Sequence, residues 1–266
     1  MPHDASGAHR CIRSVPRCVP LFLNVREGGG EFYMVILTAL LGLPYYVSAG
    51  VTLFVLTVQG ASMLLVYWRR RRLVDWALAA TTGSVALAAA FLGSLVSASM
   101  PAKVLKLTFS ALLAVSAYVI LRGFSLRTAG LPGPRLRRRS GGYDYCYSPL
   151  AAAAPVAVIA FLASMAGISG GSLIVPVLVI LGGVPLRIAI GTNPFLVLIA
   201  SASGFTAHLE RGGFDPTLGA ALATAALIGS QAGSRLHARL GEHSLRLLFA
   251  ASMLLAAAIM ALRAFT

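Results

Sequence analysis

Two pairs of adjacent glycines each open a short apolar segment: Gly29-Gly30 in the first half of the chain and Gly170-Gly171 in the second, at an offset of 141 residues. A helix start has backbone N–H groups without intrahelical partners and carries about half a positive elementary charge from the macrodipole. Glycine lets an anion approach these groups closely. The pattern therefore predicts a site for a small anion, formed by one helix start from each half. The alternative is that the glycines only allow close helix packing.

Polar side chains follow each glycine segment at matching positions. Thr192 and Asn193 precede Pro194 inside an apolar run, and the counterpart stretch in the first half ends at Thr52. Hydroxyl and amide groups donate hydrogen bonds to oxyanions, so we expect these side chains to complete the anion site. A simple helix cap with proline in the first turn is the other interpretation. The two are compatible, because a cap inside a membrane lines a cavity.

Glu31 directly follows the first glycines, where the second half has Ser172. A carboxylate within the membrane is a functional candidate by default, here for proton coupling. The alternative is a first-turn glutamate that is stabilised by the helix N-terminus. His208 and Asp215 are expected at the edge of a loop, at the membrane interface.

The composition is that of a membrane protein. Hydrophobic residues make up 58% of the 266 residues and charged residues only 11%, with a mean hydropathy of +0.82. Soluble proteins carry about 25% charged residues. Several apolar runs reach the roughly 20 residues that a helix needs to cross a bilayer. Because strands of alternating polarity are absent, we predict an all-α integral membrane protein rather than a barrel.

The net charge of +14 comes from arginines that lie between the apolar runs. Such clusters, for example at 69–72 and 135–139, are typical of cytoplasmic loops and do not indicate a nucleic-acid partner. Neither a nucleotide-binding loop nor a set of residues with metal-ligand spacing is present. We therefore expect no cofactor, no metal and no catalytic residues, and we predict that the protein is not an enzyme.

Nine apolar segments are predicted within the membrane, at about 31–43, 47–68, 76–98, 102–121, 148–167, 171–183, 186–208, 215–236 and 243–263. Segments 31–43 and 171–183 are too short to span as ordinary helices. Both begin at the glycine pairs and end at a Gly-x-Pro sequence. Short, interrupted segments at matching places in two halves are typical of the broken helices of membrane transporters.

The repeat extends past the glycines, with colinear matches such as Gly42 and Gly183, Pro44 and Pro185, and Phe54 and Phe195. If each short segment crosses once, the loops at 69–75, 122–147 and 237–242 lie on one side together with most arginines, as the positive-inside rule requires. A complete half then has five crossings, and an odd number inverts the second half relative to the first.

The predicted duplication and the basic linker divide the chain into four regions. Residues 1–27 form a non-homologous N-terminus that is expected to be disordered or mis-started, and 28–121 form the first repeat. Residues 122–147 form a basic cytoplasmic linker whose charge favours disorder and contact with lipid headgroups. Residues 148–266 form the second repeat. The stretch 8–26 is rich in Arg and Pro where the second half has the helix 148–167, so the first repeat is expected to lack its leading helix.

The stretches GISGGSLIVPVLVILGGVPLRIAIGTNPF (167–195) and GGGEFYMVILTALLGLPYYVSAGVTLF (28–54) resemble the sulfite exporter TauE/SafE family. The resemblance covers about residues 28–265. The sequence departs from the family pattern at two places. Val35 stands where the second half has Pro176, and Val51-Thr52 stands where a Gly-Thr pair is expected.

The resemblance implies a multi-pass secondary transporter of the bacterial inner membrane that exports small anions such as sulfite, organosulfonates or organic acids. It implies alternating access and places substrate binding at the residues Gly29, Gly30, Thr52, Gly170, Gly171, Thr192 and Asn193. The partners are then the anion and the lipid bilayer, and the sequence leaves a homodimer open. The alternative function is an inactive or scaffold-type subunit derived from such a transporter by loss of its first helix.

Overall fold

The computed structural model describes residues 30–71, 73–122, 136–140, 142–210, 212–237 and 242–265. These residues form a helical bundle with one small β-hairpin. Its elements are α1 (Gly30–Val35, continued by a π-helical turn Ile36–Leu40), α2 (Tyr45–Val66, continued by a π-helical turn Tyr67–Arg71), α3 (Trp76–Ser97), α4 (Ala102–Arg122), β1 (Leu136–Ser140), β2 (Tyr143–Tyr147), α5 (Pro149–Met165), α6 (Gly171–Ile180), α7 (Leu186–Glu210), α8 (Pro216–His237) and α9 (Glu242–Leu262).

The prediction of an all-α integral membrane protein is confirmed. Among the described residues, four stretches are long and apolar enough to cross a membrane: Tyr45–Arg69, Trp76–Ser97, Ala102–Arg122 and Leu186–Glu210. A helix stands at each of the nine predicted segments. The segments predicted to be too short for a crossing correspond to α1 and α6, and α6 has only 10 residues.

Helices α2, α3 and α7 form the centre of the bundle, with α5 against α3 and α4 against α9. Glycines allow the central helices to approach one another closely. A Cβ atom at Gly60 of α2 would lie 3.0 Å from Leu198 Cα of α7, and one at Gly83 of α3 would lie 2.6 Å from Ile199 Cδ1 of α7. Small residues at such contacts favour close helix association in lipid, because dispersion forces grow as the backbones approach.

The two short helices end in the same way. Gly42 and Gly183 both adopt a left-handed backbone, with φ of +66° and +71°. In each case the next residue donates its N–H to a carbonyl six positions back: Leu43 to Leu37 O and Val184 to Leu178 O, both at 3.1 Å. Each bond reaches one residue further back than the 6→1 bond of a Schellman ending, and like that ending it satisfies a carbonyl at the helix end beside a left-handed glycine. The matching geometry at an offset of 141 residues supports the predicted duplication.

Two aspartates begin α3 and α8 with matching caps. Asp75 Oδ1 accepts from Ala77 N at 2.9 Å and Leu78 N at 3.1 Å. Asp215 Oδ1 accepts from the N–H groups two and three positions on, also at 2.9 and 3.1 Å. An aspartate is among the best N-cap residues because its side chain replaces missing backbone acceptors. This second pair also supports the duplication, whose inverted arrangement stays a prediction.

The linker is more ordered than its charge suggested. Strands β1 and β2 form an antiparallel hairpin in which Leu136 pairs with Tyr147 and Ser140 pairs with Tyr143. The expectation of disorder is therefore wrong for the described part of the linker, 136–140 and 142–147. The alternation of Tyr143, Tyr145 and Tyr147 is a strand pattern, and the neighbouring arginines obscured it. Residues 123–135, and the whole region 1–29, lie outside the described residues.

Tyr45 ties the start of α2 to two other parts of the bundle. Its hydroxyl lies 2.8 Å from Ala166 O, to which it donates, and 3.2 Å from Leu105 O in α4. We expect Tyr45→Phe to lower the free energy of unfolding by about 1–2 kcal/mol, because buried carbonyls lose their donor. Thermal unfolding in detergent micelles measures this effect. Tyr118→Phe is the control, since Tyr118 is 56% exposed, and equal shifts in both variants would contradict the assignment.

Candidate anion site

The connection between α5 and α6, residues 166–170, is named here the glycine loop. Gly167 and Gly170 both have a left-handed backbone, with φ of +78° and +70°. Gly170 is the N-cap of α6, and no side chain caps this helix. Left-handed geometry is costly for any residue with a Cβ, which explains glycine at both positions. The start of α6 is therefore bare backbone, as the sequence predicted.

The start of α6 lies against α7 at the predicted polar residues. A Cβ atom at Gly171 would stand 3.0 Å from Asn193 Nδ2 and 2.8 Å from Val197 Cγ2. Thr192 and Asn193 are both fully buried. The structure thus brings Asn193 against Gly171 at the start of α6, next to the N-cap Gly170, whereas Thr192 bonds to the N–H of Asp75 before α3.

Thr52 has a similar place in the first half. It is fully buried in α2, and its hydroxyl donates to Ser48 O at 2.8 Å. The same oxygen lies 3.9 Å from the Sδ atom of Met34, which belongs to α1. Thr52 therefore lies against α1 as Asn193 lies against α6. Gly30 is the first residue of α1, whereas Gly29 and the side chain of Glu31 lie outside the described part of the chain.

The two halves meet at the glycine loop. A Cβ atom at Gly167 would stand 2.7 Å from Ala49 Cβ in α2 and 3.6 Å from Met34 Cε in α1. Tyr45 also donates its hydroxyl hydrogen to Ala166 O. The loop that precedes α6 is thus in direct contact with α1 and α2, which is the contact between halves that a shared site requires.

Several polar residues near this region were missed by the sequence analysis. Ser116 Oγ of α4 lies 3.3 Å from Ser172 Oγ in the first turn of α6. Ser94 Oγ of α3 lies 2.6 Å from Ser164 Oγ, at the end of α5. Serines in membrane helices commonly bond to their own backbone or a neighbouring helix, so a single serine in an apolar run carries little information about its contacts.

His208 lies in the last turn of α7, near the loop as expected, but it is fully buried. Its Nδ1 atom is 3.0 Å from Gly204 O, and its ring stacks on Tyr46 at a centroid distance of 4.5 Å. The following loop folds back, since Gly213 N donates to His208 O at 2.8 Å. This return of the loop removes His208 from the surface that the sequence predicted for it.

Asp75 is another buried polar residue that the sequence analysis did not single out. It is 3% exposed, and its backbone N–H donates to Thr192 Oγ1 at 3.1 Å. Its Oδ2 atom accepts from the Tyr145 hydroxyl at 2.6 Å, and Arg138 Nη2 lies 3.5 Å from Oδ1. One aspartate thus connects the cap of α3, the linker hairpin and the candidate site.

Asp75 is ionised at neutral pH. Burial alone would raise the pKa of its carboxyl, but the hydrogen bond from Tyr145, the two backbone N–H groups and the charge of Arg138 together hold this pKa below its ordinary value of 3.8. Burial and the bond to Asp75 raise the pKa of Tyr145, which stays a donor. Because the pKa of Asp75 is lower in the folded state, its contribution to stability is present above pH 3.8 and is lost as the pH falls through the lowered value.

A family model described as "Sulfite exporter TauE/SafE" matches residues 27–260. The chain belongs to the TauE/SafE family. A Bacillus subtilis protein described as "Probable membrane transporter protein YunE" is 30% identical over 98 residues. The chain spans 36% of the length of this relative, and the matched part is 37% of the chain itself. No solved structure matches.

The resemblance to the TauE/SafE family is therefore confirmed, and the chain is a multi-pass membrane protein of a transporter family. The descriptions of the family and of the relative name an exporter and a transporter rather than an enzyme. The part of the chain that matches the TauE/SafE model contains both glycine pairs and every polar residue of the candidate site.

Gly170→Ala tests how tightly the glycine loop is packed. Its Cβ would lie 2.9 Å from Ala163 Cβ and 3.1 Å from Ile159 Cγ2. Gly42→Ala is a matched control, because Gly42 has a similar φ of +66° and nothing within 4 Å of a Cβ. Both variants lose about 1–2 kcal/mol to the left-handed backbone, and we expect a further loss of about 1–3 kcal/mol from crowding in Gly170→Ala alone.

Thermal unfolding of both glycine variants in the same detergent measures this difference. A drop in melting temperature that is equal in the two variants would show that the glycine loop has room for a side chain.

Proposed function

We propose that this protein is a secondary transporter that exports small anions such as sulfite, organosulfonates or organic acids across the bacterial inner membrane. One observation carries the proposal: the uncapped start of α6 at Gly170-Gly171 lies against the buried Asn193, beside a loop that contacts α1 and α2 of the other half. The family match and the transporter name of the relative support it.

The proposed site holds the anion with neutral donors. Thr192 Oγ1 accepts the N–H of Asp75, so its own hydroxyl hydrogen is available to donate. The side chain of Asn193 lies against Gly171, and the dipole of α6 favours a negative charge at Gly170-Gly171. Hydrogen bonds are electrostatically stronger in a dry interior, whereas a site without a full positive charge still allows release.

The first half contributes Gly29, Gly30 and Thr52 in this proposal. Thr52 donates to Ser48 O in the described conformation, so its hydroxyl must turn to reach an anion. Its contribution is therefore smaller than that of Asn193. Glu31 remains the candidate for proton coupling, on the grounds of its place in the sequence beside the first glycines.

The driving force for export does not require a coupling ion. A membrane potential that is negative inside favours the exit of an anion by about 2.3 kcal/mol per charge per 100 mV. We further propose that residues 28–121 and 148–266 are oppositely oriented repeats that rock against each other around the site. The chain can act alone or as a homodimer in this scheme, since both halves of the site lie within one chain.

Flux of radiolabelled sulfite from liposomes that contain the purified protein tests the function, with protein-free liposomes as the baseline. Potassium gradients with valinomycin set the membrane potential, and radiolabelled sulfonates and organic acids are measured in the same assay. We expect flux above the baseline that increases with inside-negative potential. Absence of flux for all these anions would reject the proposal and favour the scaffold-type subunit.

Asn193→Asp tests the site itself. The substitution keeps the size of the side chain and places a carboxylate where the anion is proposed to bind, so we expect a loss of flux of more than about tenfold from charge repulsion. Gln59→Glu is the matched control, because Gln59 is also a buried amide and bonds to Tyr33 rather than to the glycine loop. Equal losses in both variants would remove the assignment of Asn193.

Thr52→Val tests the contribution of the first half. We expect flux to fall about fivefold, which corresponds to about 1 kcal/mol. Thr57→Val is the control on the same helix, since Thr57 makes the same type of bond to the carbonyl four residues back, at 2.8 Å. Unchanged flux in Thr52→Val at normal expression would exclude Thr52 from the site.

A further inference from the structure

The linker hairpin is docked on the bundle through its tyrosines. Tyr145 and Tyr147 are 5% and 1% exposed. They belong to an apolar cluster that includes Leu78 of α3 and Val156 of α5. The Tyr147 hydroxyl also lies 3.2 Å from Thr81 Oγ1 of α3. One face of a segment that the sequence presented as a charged linker is thus part of the protein core.

The hairpin also touches the far end of the broken helix α6. Ser148 N donates to Gly182 O at 3.1 Å, and a Cβ atom at Gly183 would stand 3.0 Å from Cys146 O. Helix α6 therefore has the candidate site at its start and the base of the hairpin at its end. A movement of the hairpin away from the bundle would break contacts with α3, α5 and the loop after α6 together.

Asp75 connects the hairpin to the candidate site. Its carboxylate accepts the short hydrogen bond from Tyr145 and faces Arg138, while its backbone N–H is bonded to Thr192. The neighbouring Leu73 lies against α7, because a Cβ atom at Gly191 would stand 2.5 Å from Leu73 Cβ. The segment before α3 is thus clamped between the hairpin on one side and Gly191 and Thr192 on the other. We name the three residues Asp75, Arg138 and Tyr145 the hairpin lock.

Among the residues that the structure describes, the matching position in the second half has no such lock. Asp215 caps α8 with the same geometry, and within the described residues its carboxylate is hydrogen-bonded only to Thr217 N and Leu218 N. Leu78 beside Asp75 is fully buried, whereas the counterpart Leu218 beside Asp215 is half-buried. If the repeats are inverted, these two aspartates lie toward opposite sides of the membrane, and the hairpin that the structure describes covers the side of the basic linker.

We propose that the hairpin of strands β1 and β2 is a gate on the linker side of the anion site, and that Asp75 is the positioning residue that links its closure to Thr192. In the described conformation the gate is closed. When the hairpin lock opens, the segment before α3 is free to leave Thr192, and the site becomes accessible from the side of the basic linker. This gate rests on the proposed function in anion transport.

Arg138 gives the gate a means of responding to its substrate. Its side chain is 41% exposed, so it is accessible from the solvent while its guanidinium faces Asp75. An arriving anion competes with the Asp75 carboxylate for this guanidinium, since Arg binds both kinds of oxyanion. Such competition would weaken the hairpin lock as substrate concentration rises on the linker side.

The first test uses hydrogen exchange of the full-length protein in nanodiscs. Tyr145→Phe removes one hydroxyl from the hairpin lock and keeps the aromatic ring, and we expect amide exchange at residues 73–78 and 136–147 to rise at least about threefold, as expected when a local opening equilibrium shifts. Tyr143→Phe is the control on the same strand, because Tyr143 pairs with Ser140, whereas the hydrogen bond to Asp75 comes from Tyr145. Unchanged exchange in Tyr145→Phe would overturn the hairpin lock.

The second test uses sulfite transport in inside-out membrane vesicles, where the linker side faces the medium. Opening the gate raises the fraction of protein that is competent to bind from this side, so we expect the KM for sulfite to fall about threefold in Tyr145→Phe and in Asp75→Asn. The kcat is expected to stay within about twofold. Asp215→Asn is the matched control, since asparagine also caps helices well and Asp215 is not in contact with the hairpin; its KM should not change.

The outcomes separate the gate from the proposed function. If wild-type protein transports sulfite and Tyr145→Phe exchanges faster without a change in KM, the hairpin is structural and the gate is wrong, while the function stands. A fall in kcat with unchanged KM also indicates a structural role and overturns the gate. If wild-type protein transports none of the tested anions, the proposed function fails and the gate fails with it.

Discussion

A backbone inside a bilayer must find its hydrogen-bond partners within the protein, and this constraint decides where the helices of this chain can break. Each break in the described residues has its own internal partners. After α1 and after α6, a backbone N–H donates a hydrogen bond to the carbonyl six positions back. The Tyr45 hydroxyl donates to the carbonyl of Ala166 in the glycine loop. The start of α6 differs, because no side chain caps it. The uncapped start is therefore the part of α6 on which the proposed anion site depends.

The sequence was sufficient to locate the helices, because apolar runs of about 20 residues and Gly-x-Pro endings are local signals. Gly42 and Gly183 end α1 and α6 as their spacing indicated. The sequence also paired Gly171 with Asn193, through the repeat. What it could not supply were contacts between distant residues, such as Asp75 with Thr192, which are 117 positions apart. The sequence around an aspartate that caps a helix is the same whether or not another part of the protein packs over that aspartate.

The two halves of the chain contain corresponding structural elements, but the contacts and burial of the corresponding residues differ. Both have a glycine helix start, a polar residue on the following long helix, and an aspartate cap. In the first half the polar residue is Thr52, whose hydroxyl is engaged by its own helix, whereas Asn193 in the second half faces Gly171. The aspartates differ in burial as well. The two halves therefore share a framework of matching elements, and the chemistry at the matching positions differs.

The glycine contacts at the centre of the bundle limit how the protein can move. Gly60 and Gly83 bring α2 and α3 against Leu198 and Ile199 on adjacent residues of α7, with no side-chain layer between Gly60 and the backbone of Leu198. Backbones in direct contact cannot slide past one another without a clash. They can, however, tilt about the point of contact. The contact at Gly60 is thus a pivot, because tilting of α2 against α7 displaces the ends of these long helices more than their middle.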